Sequence, residues 1–148
     1  MESKQNYSPL ITVTGLVKTY HTGAGSFNAL RGIDLVVNQG EYVGVIGKSG
    51  VGKTTLINMI SGVDSISTGQ VFVDGTAVHE LREDQLAQWR GSSVGVIYQS
   101  FNLLPMLSLR DNITLAMDFC DNYQRGASEA RAMDLLDLVE LLALARTP

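Results

Sequence analysis

The sequence predicts an α/β fold with a largely parallel central sheet and an added antiparallel β piece. Two observations predict it. Strand-like and helix-like segments alternate along the 148 residues, the pattern of a sheet crossed by helices. A short apolar run at 41–46 leads straight into a glycine-rich turn and then into a helical segment. That is the strand–turn–helix unit from which such folds are built.

The elements follow in order. Residues 10–20 hold Ile11, Thr12, Val13, Thr14 and Val17, and this β-branched density reads as a strand. Residues 21–28, with Gly23, Gly25 and Ser26, read as a loop. A second strand is expected over 29–37 and a turn at Asn38-Gln39-Gly40. Val43, Val45 and Ile46 form the apolar part of the strand at 41–46. Residues 53–61 read as a helix with Leu56, Ile57, Met59 and Ile60 on its buried side, stopped by Gly62. Segments 70–73 and 76–78 flank Asp74-Gly75, a pair suited to a tight hairpin turn with positive φ. A short polar helix is expected at 83–90 and a buried strand at 94–98. Helices are expected at 109–119 and 128–145, the second with Ala132, Leu135, Leu136, Val139 and Leu142 at helical spacing.

Composition narrows the class. Hydrophobic residues make up 45% and charged residues 18%, a globular balance. The net charge of −4 supplies no long-range attraction for nucleic acid or anionic lipid, so no nucleic-acid partner is expected. Cys120 is the lone cysteine, read as a small packed hydrophobe. The polar stretch 1–9 lacks the apolar core of a signal peptide. No apolar run approaches the ~20 residues that span a bilayer, so a membrane role is expected to come through a partner.

One motif carries chemistry. Residues 47–54, Gly-Lys-Ser-Gly-Val-Gly-Lys-Thr, match the phosphate-binding loop pattern G-x-x-x-x-G-K-[ST] at every fixed position. Gly47, Gly50 and Gly52 let the backbone curl so that successive N–H groups, Ser49 among them, face an anion at the positive end of the following helix. Lys53 supplies a point charge for the β- and γ-phosphates. The Thr54 hydroxyl is an oxygen ligand suited to Mg²⁺, and Thr55 adds a hydroxyl toward the α-phosphate. The competing reading is a ligand-free glycine-rich turn, but such a turn has no need of Gly-Lys-Thr in this register.

The loop alone does not separate ATPases, GTPases and kinases. Its surroundings resemble the ATP-binding subunits of ABC transporters. The run Asn28-Ala29-Leu30-Arg31-Gly32-Ile33-Asp34-Leu35, then Gly40-Glu41, the loop itself, Gly69-Gln70-Val71 and Asp74-Gly75 carry the resemblance. Val-Gly-Val-Ile-Tyr-Gln-Ser-Phe-Asn-Leu-Leu-Pro at 94–105 resembles the Q-loop segment of the lipoprotein-release and macrolide-export branch. The resemblance implies that Mg·ATP is the ligand, that Tyr20 stacks on adenine, and that the Gln99 carbonyl ligates Mg²⁺ or holds the attacking water. Lys53 and Gln99 are then the residues nearest the chemistry. Tyr20 as a plain strand-end aromatic and Gln99 as a solvent-facing glutamine stand as the alternatives. Phe101, Leu103, Leu104 and Pro105 read equally as a docking surface for a membrane subunit or as core.

The resemblance further implies membrane-spanning partner subunits, a second ATP-binding subunit in a head-to-tail dimer, and a cytoplasmic position on the inner face of the cell membrane. It also implies motifs that these residues do not contain. No Ser-Gly-Gly signature occurs. Val71-Phe72-Val73-Asp74 mimics a Walker B strand but is one apolar residue short, and the turn explains its aspartate. Met133-Asp134-Leu135-Leu136-Asp137-Leu138 falls on an amphipathic helix. His21 and His79 come too early for the late histidine of the family and read as surface residues. Residues 1–148 are therefore expected to be one partial ATP-binding domain, with P-loop, Q-loop and the start of a helical subdomain, its sheet incomplete at the C-terminus. Whether they hydrolyse ATP or only bind it stays open. A GTPase or small-molecule kinase is the more distant alternative; the guanine-reading Asn-Lys-x-Asp is absent.

Overall fold

The computed structural model describes residues 9–147 apart from 24, 101 and 121. The polar N-terminal stretch up to Ser8, and Phe101 of the apolar loop, lie outside the described residues. The chain forms two compact units that meet within one helix, between Leu86 and Ala87.

The first unit is built on a four-stranded antiparallel sheet in the order β2-β1-β3-β4. Strands β1 (Pro9–Thr22) and β2 (Gly25–Asn38) form a long hairpin, β3 (Thr68–Val73) pairs with the other edge of β1, and β4 (Thr76–Ala77) closes the sheet. The 21–28 segment expected as a loop is largely paired strand, with Tyr20 opposite Phe27 and Thr22 opposite Gly25. Cross-strand pairing outweighed the glycine signal there. The expected turn at Asp74-Gly75 joins β3 to β4, with φ of 47° and 74°, the two left-handed residues that a tight hairpin requires.

A register shift between Val13 and Leu16 marks a β-bulge in β1, and the Asp34 carboxylate accepts the Gly15 N–H at 2.7 Å. One extra residue reverses the inside–outside alternation. Val13 and Leu16, three positions apart, are both buried, and Lys18 is buried after them. Helix α1 (Lys53–Ile60) supplies Met59 to the same core, with Leu30, Val37, Val71 and Val78. Ile57, expected on its buried side, is exposed. At its C-terminal end the Val63 N–H donates to Asn58 O and the Gly62 N–H to Met59 O, the paired bonds of a Schellman stop.

The segments 41–46 and 94–98, expected as strands, carry no ladder pairing and lie outside any strand of the described residues. Ile46 is 94% and Ile97 96% exposed. An extended apolar segment becomes a strand only when a neighbour supplies hydrogen bonds and covers its side chains, and no described strand pairs with either. The sheet that forms is the antiparallel piece.

Helix α2 (Glu83–Ser93) runs from the first unit into the second, three residues beyond its expected end. Helices α3 (Leu109–Phe119) and α4 (Ala127–Leu138) form the second unit with a 3₁₀ turn at Leu142–Leu144. The helix expected to run to 145 ends at Leu138, because Glu140 turns left-handed at φ 61°. Its N–H donates to Asp137 O while the Leu141 N–H donates to Leu136 O. Val139 and Leu142, read as part of a helical apolar stripe, are exposed. The start of α3 is capped twice. Ser108 Oγ accepts from the Asp111 N–H, and the Leu109 and Arg110 N–H groups donate to Thr147 O and Ala145 O. Cys120 packs on Gly91, where an added Cβ would stand 2.5 Å from its sulfur, in keeping with its reading as a packed hydrophobe.

Candidate functional site: a phosphate cradle with an aromatic wall

The phosphate-binding loop enters α1 through Gly52, the N-cap, at φ 98° and ψ 9°. A side chain is excluded there for two reasons. The left-handed backbone disfavours one, and a Cβ would meet the Ala29 carbonyl oxygen at 2.7 Å and Leu30 Cδ2 at 3.0 Å. Gly52 thus seats the helix start on β2. No side chain caps this N-terminus and no acidic residue occupies its first turn. The first N–H groups and the positive end of the helix dipole are left for an anion.

Lys53 curls back over the loop. Its ammonium donates to Gly47 O at 2.9 Å and to Lys48 O at 2.8 Å. Three donors on a flexible stem can hold these carbonyls and still face a phosphate. Thr54 is exposed and Thr55 half-buried.

A cleft of about 690 Å³ runs from this loop to the end of β1, with Ser49, Gly50, Gly52, Lys53, Thr54 and Thr55 on one side and Tyr20 and Phe27 on the other. Its size suits a small-molecule ligand. The site residues read from sequence in this part of the chain therefore gather around one space, and Gly47 contributes through its carbonyl bond to Lys53. Gln99 belongs to the second unit, in an exposed irregular segment. Leu103, Leu104 and Pro105 are also exposed. The Asn112 side chain pins that loop to α3, accepting from the Leu104 N–H at 2.8 Å and donating to the carbonyls of Leu104, Leu107 and Ser108.

The aromatic wall has partners that sequence reading missed. Tyr20 Oη donates to Asp64 Oδ2 at 2.9 Å, and Lys18 Nζ donates to Asp64 Oδ1 at 2.8 Å and to Ser65 O. Lys18 Nζ lies 4.8 Å from the centre of the Tyr20 ring, within cation–π range. Phe27, the cross-strand neighbour of Tyr20, has its ring centroid 5.5 Å away. Burial raises the Tyr20 hydroxyl above its usual pKa, the Asp64 hydrogen bond and charge add to this, and Thr55 opposes it. Burial also works to raise the Asp64 carboxyl, but hydrogen bonds from Lys18, Tyr20 and the Ser65 N–H outweigh it and hold it below the usual range. His79 is not a plain surface residue: its Nδ1 lies 3.0 Å from Val71 O and its ring meets Phe72 edge-on. The bulge hides Lys18 from alternation counting, and Asp64 lies outside any strand and carries no such signal.

The comparisons with known proteins show the family. The ABC transporter family model matches residues 30–148. The bacitracin export ATP-binding protein BceA of Halalkalibacterium halodurans is 37% identical over 120 residues, covering 81% of this chain and 47% of that protein. The lipoprotein-releasing system ATP-binding protein LolD of Bacteroides fragilis is 35% identical over 132 residues, covering 89% and 59%. Among solved structures, the dimeric ATP-binding cassette MJ0796 in a post-hydrolysis state bound to ADP and Pi superposes with a TM-score of 0.82 at 30% identity, covering 92% of this chain and 60% of that one. The chain thus spans about half to three-fifths of the length of these relatives. An incomplete P-loop NTPase fold, a built phosphate cradle and a family match over most of its length together place this chain in the ABC-transporter ATP-binding family.

Proposed function

We propose that this chain is the nucleotide-binding part of an ABC-transporter motor and holds Mg·ATP in the cleft between the phosphate loop and Tyr20. The observation that carries the reading is the uncapped α1 N-terminus with Lys53 folded over it, facing an aromatic wall across one cleft. The Gly50 and Gly52 backbone with Ser49 would cradle the phosphates, Lys53 and Thr55 would contact them, and Tyr20 would support the base. Thr54 would give Mg²⁺ an oxygen ligand, with Gln99 as a further one. Bound Mg²⁺ would neutralise phosphate charge and orient the terminal phosphate. Lys53 acts on the same charge from the protein side.

In the whole protein this site would power export or extraction at a membrane. Such a motor would pair head-to-tail with a second ATP-binding subunit and dock on membrane-spanning subunits from the cytoplasmic side. No described helix is long and apolar enough to cross a membrane, so attachment through partners fits. Hydrolysis would need the signature loop, a Walker B aspartate with its glutamate, and a late histidine, none of which these 148 residues contain. Binding without turnover is therefore the activity proposed for the chain itself.

The test is Lys53→Ala. Calorimetric titration with Mg·ATP should show at least a tenfold loss of affinity, the size of one charge-assisted phosphate contact of about 1.5–3 kcal/mol. An affinity equal to that of the unsubstituted chain would remove the assignment.

A further inference from the structure

The ion pair beneath the aromatic wall has no part in the phosphate cradle, and its cost asks for a reason. Lys18 is 7% exposed and Asp64 is half-buried, and a buried lysine loses hydration that its attraction to a carboxylate seldom offsets in full. An apolar residue at position 18 would avoid that loss. What the pair supplies instead is direction. Asp64 uses one oxygen for Lys18 and the other for Tyr20, so the carboxylate is held from two sides while it holds the Tyr20 hydroxyl. It lies three residues beyond Ser61, the C-cap of α1. Gly52 seats the other end of α1 on β2. The helix that carries the phosphate cradle is thus tied at both ends to the hairpin that carries Tyr20.

We propose that Asp64, with Lys18, is a positioning residue for the nucleotide base, fixing the Tyr20 ring at a set distance from the phosphate cradle. A nucleotide has a covalently limited span between base and phosphates. A ring that swings on its strand contributes little to binding, because it must be ordered each time. A ring already held loses less freedom. The inference rests on the proposed Mg·ATP site and concerns the base alone.

The experiment compares Mg·ATP with Mg·tripolyphosphate, which has phosphates and no base, on the intact chain and its variants by calorimetric titration. Tyr20→Phe keeps the ring and removes only the hydroxyl bonded to Asp64. It should reduce the preference for ATP over tripolyphosphate by roughly 3- to 10-fold, the size of one lost hydrogen bond, while the tripolyphosphate affinity stays constant. Asp64→Asn should do the same. If Tyr20→Phe leaves the preference at its original value, the inference is overturned; so it is if Asp64→Asn weakens both ligands equally, which is the mark of a merely structural brace. Lys53→Ala separates the two levels. If it leaves both affinities unchanged, the nucleotide site itself falls and this inference with it. If it weakens both and Tyr20→Phe changes no preference, only the positioning role falls.

Discussion

At Asp64 one carboxylate serves a buried lysine, a tyrosine hydroxyl and the Ser65 backbone N–H. These bonds favour its charged form, so its pKa in the folded chain lies below the ordinary aspartate value of 3.8. The linkage has a definite sign. Above the ordinary value the carboxylate is charged in both folded and unfolded chains, and its stabilisation is complete. As pH falls through that value and then through the lower folded one, the unfolded chain takes up the proton first and the contribution is lost. The urea midpoint of the chain should therefore decline as pH drops below the aspartate range, and Asp64→Asn should decline less steeply. Equal slopes for both chains would show that other carboxylates carry the acid sensitivity. Sequence reading found Tyr20 at this site and missed its two supports. A lysine and an aspartate 46 positions apart give no periodic signal, and only the folding of α1 and the segment after it onto the hairpin brings them together.

At the scale of elements, the reading succeeded where a local rule acts alone. Helix α3 runs over the predicted residues, because the Ser108 hydroxyl caps its start. The Asp74-Gly75 turn formed because its two residues accept positive φ. Where a rule depends on a neighbour, the reading failed. The apolar runs at 41–46 and 94–98 needed pairing strands, and the apolar periodicity beyond Leu138 was cut by a left-handed glutamate. That glutamate is an unusual stop for a helix, since the position normally falls to glycine. Glu140→Gly relieves the left-handed strain but frees the unfolded chain, two effects of opposite sign; strain relief of ~1 kcal/mol should exceed the entropic loss. A thermal melt should rise by a degree or more, and a fall would mean that Glu140 makes a compensating bond.

At the scale of the whole molecule, the family and the glycine-rich loop leading into α1 were legible because both depend on short contiguous motifs whose geometry is local. The sheet was only half legible. Antiparallel hairpins are closed by adjacent segments and formed as a unit, whereas parallel strands require distant segments to cover both faces. The exposed apolar side chains of Ile46 and Ile97 follow from that difference. The relatives extend well beyond the length matched here, and their additional residues are where a search for such cover begins.

The bulge at Gly15 can be viewed as a parity switch. Every residue of β1 after it owes its side to one uncounted step, so the tyrosine that faces the cleft does so by an odd increment rather than by its own chemistry. Deleting Gly15 removes only the extra step, so alternation from Val13 then keeps Leu16, Lys18 and Tyr20 on their present side. Inserting one alanine after Leu16 changes no functional group, yet it should send Lys18 and Tyr20 to the opposite side of the strand and bring Val17 and Thr19 inward. The lengthened chain should keep its affinity for Mg·tripolyphosphate and lose its preference for ATP. Retention of that preference would mean that the hairpin absorbs the added residue in a second bulge. Base recognition, on this view, is encoded less by which aromatic the strand carries than by whether the count of residues before it is even or odd.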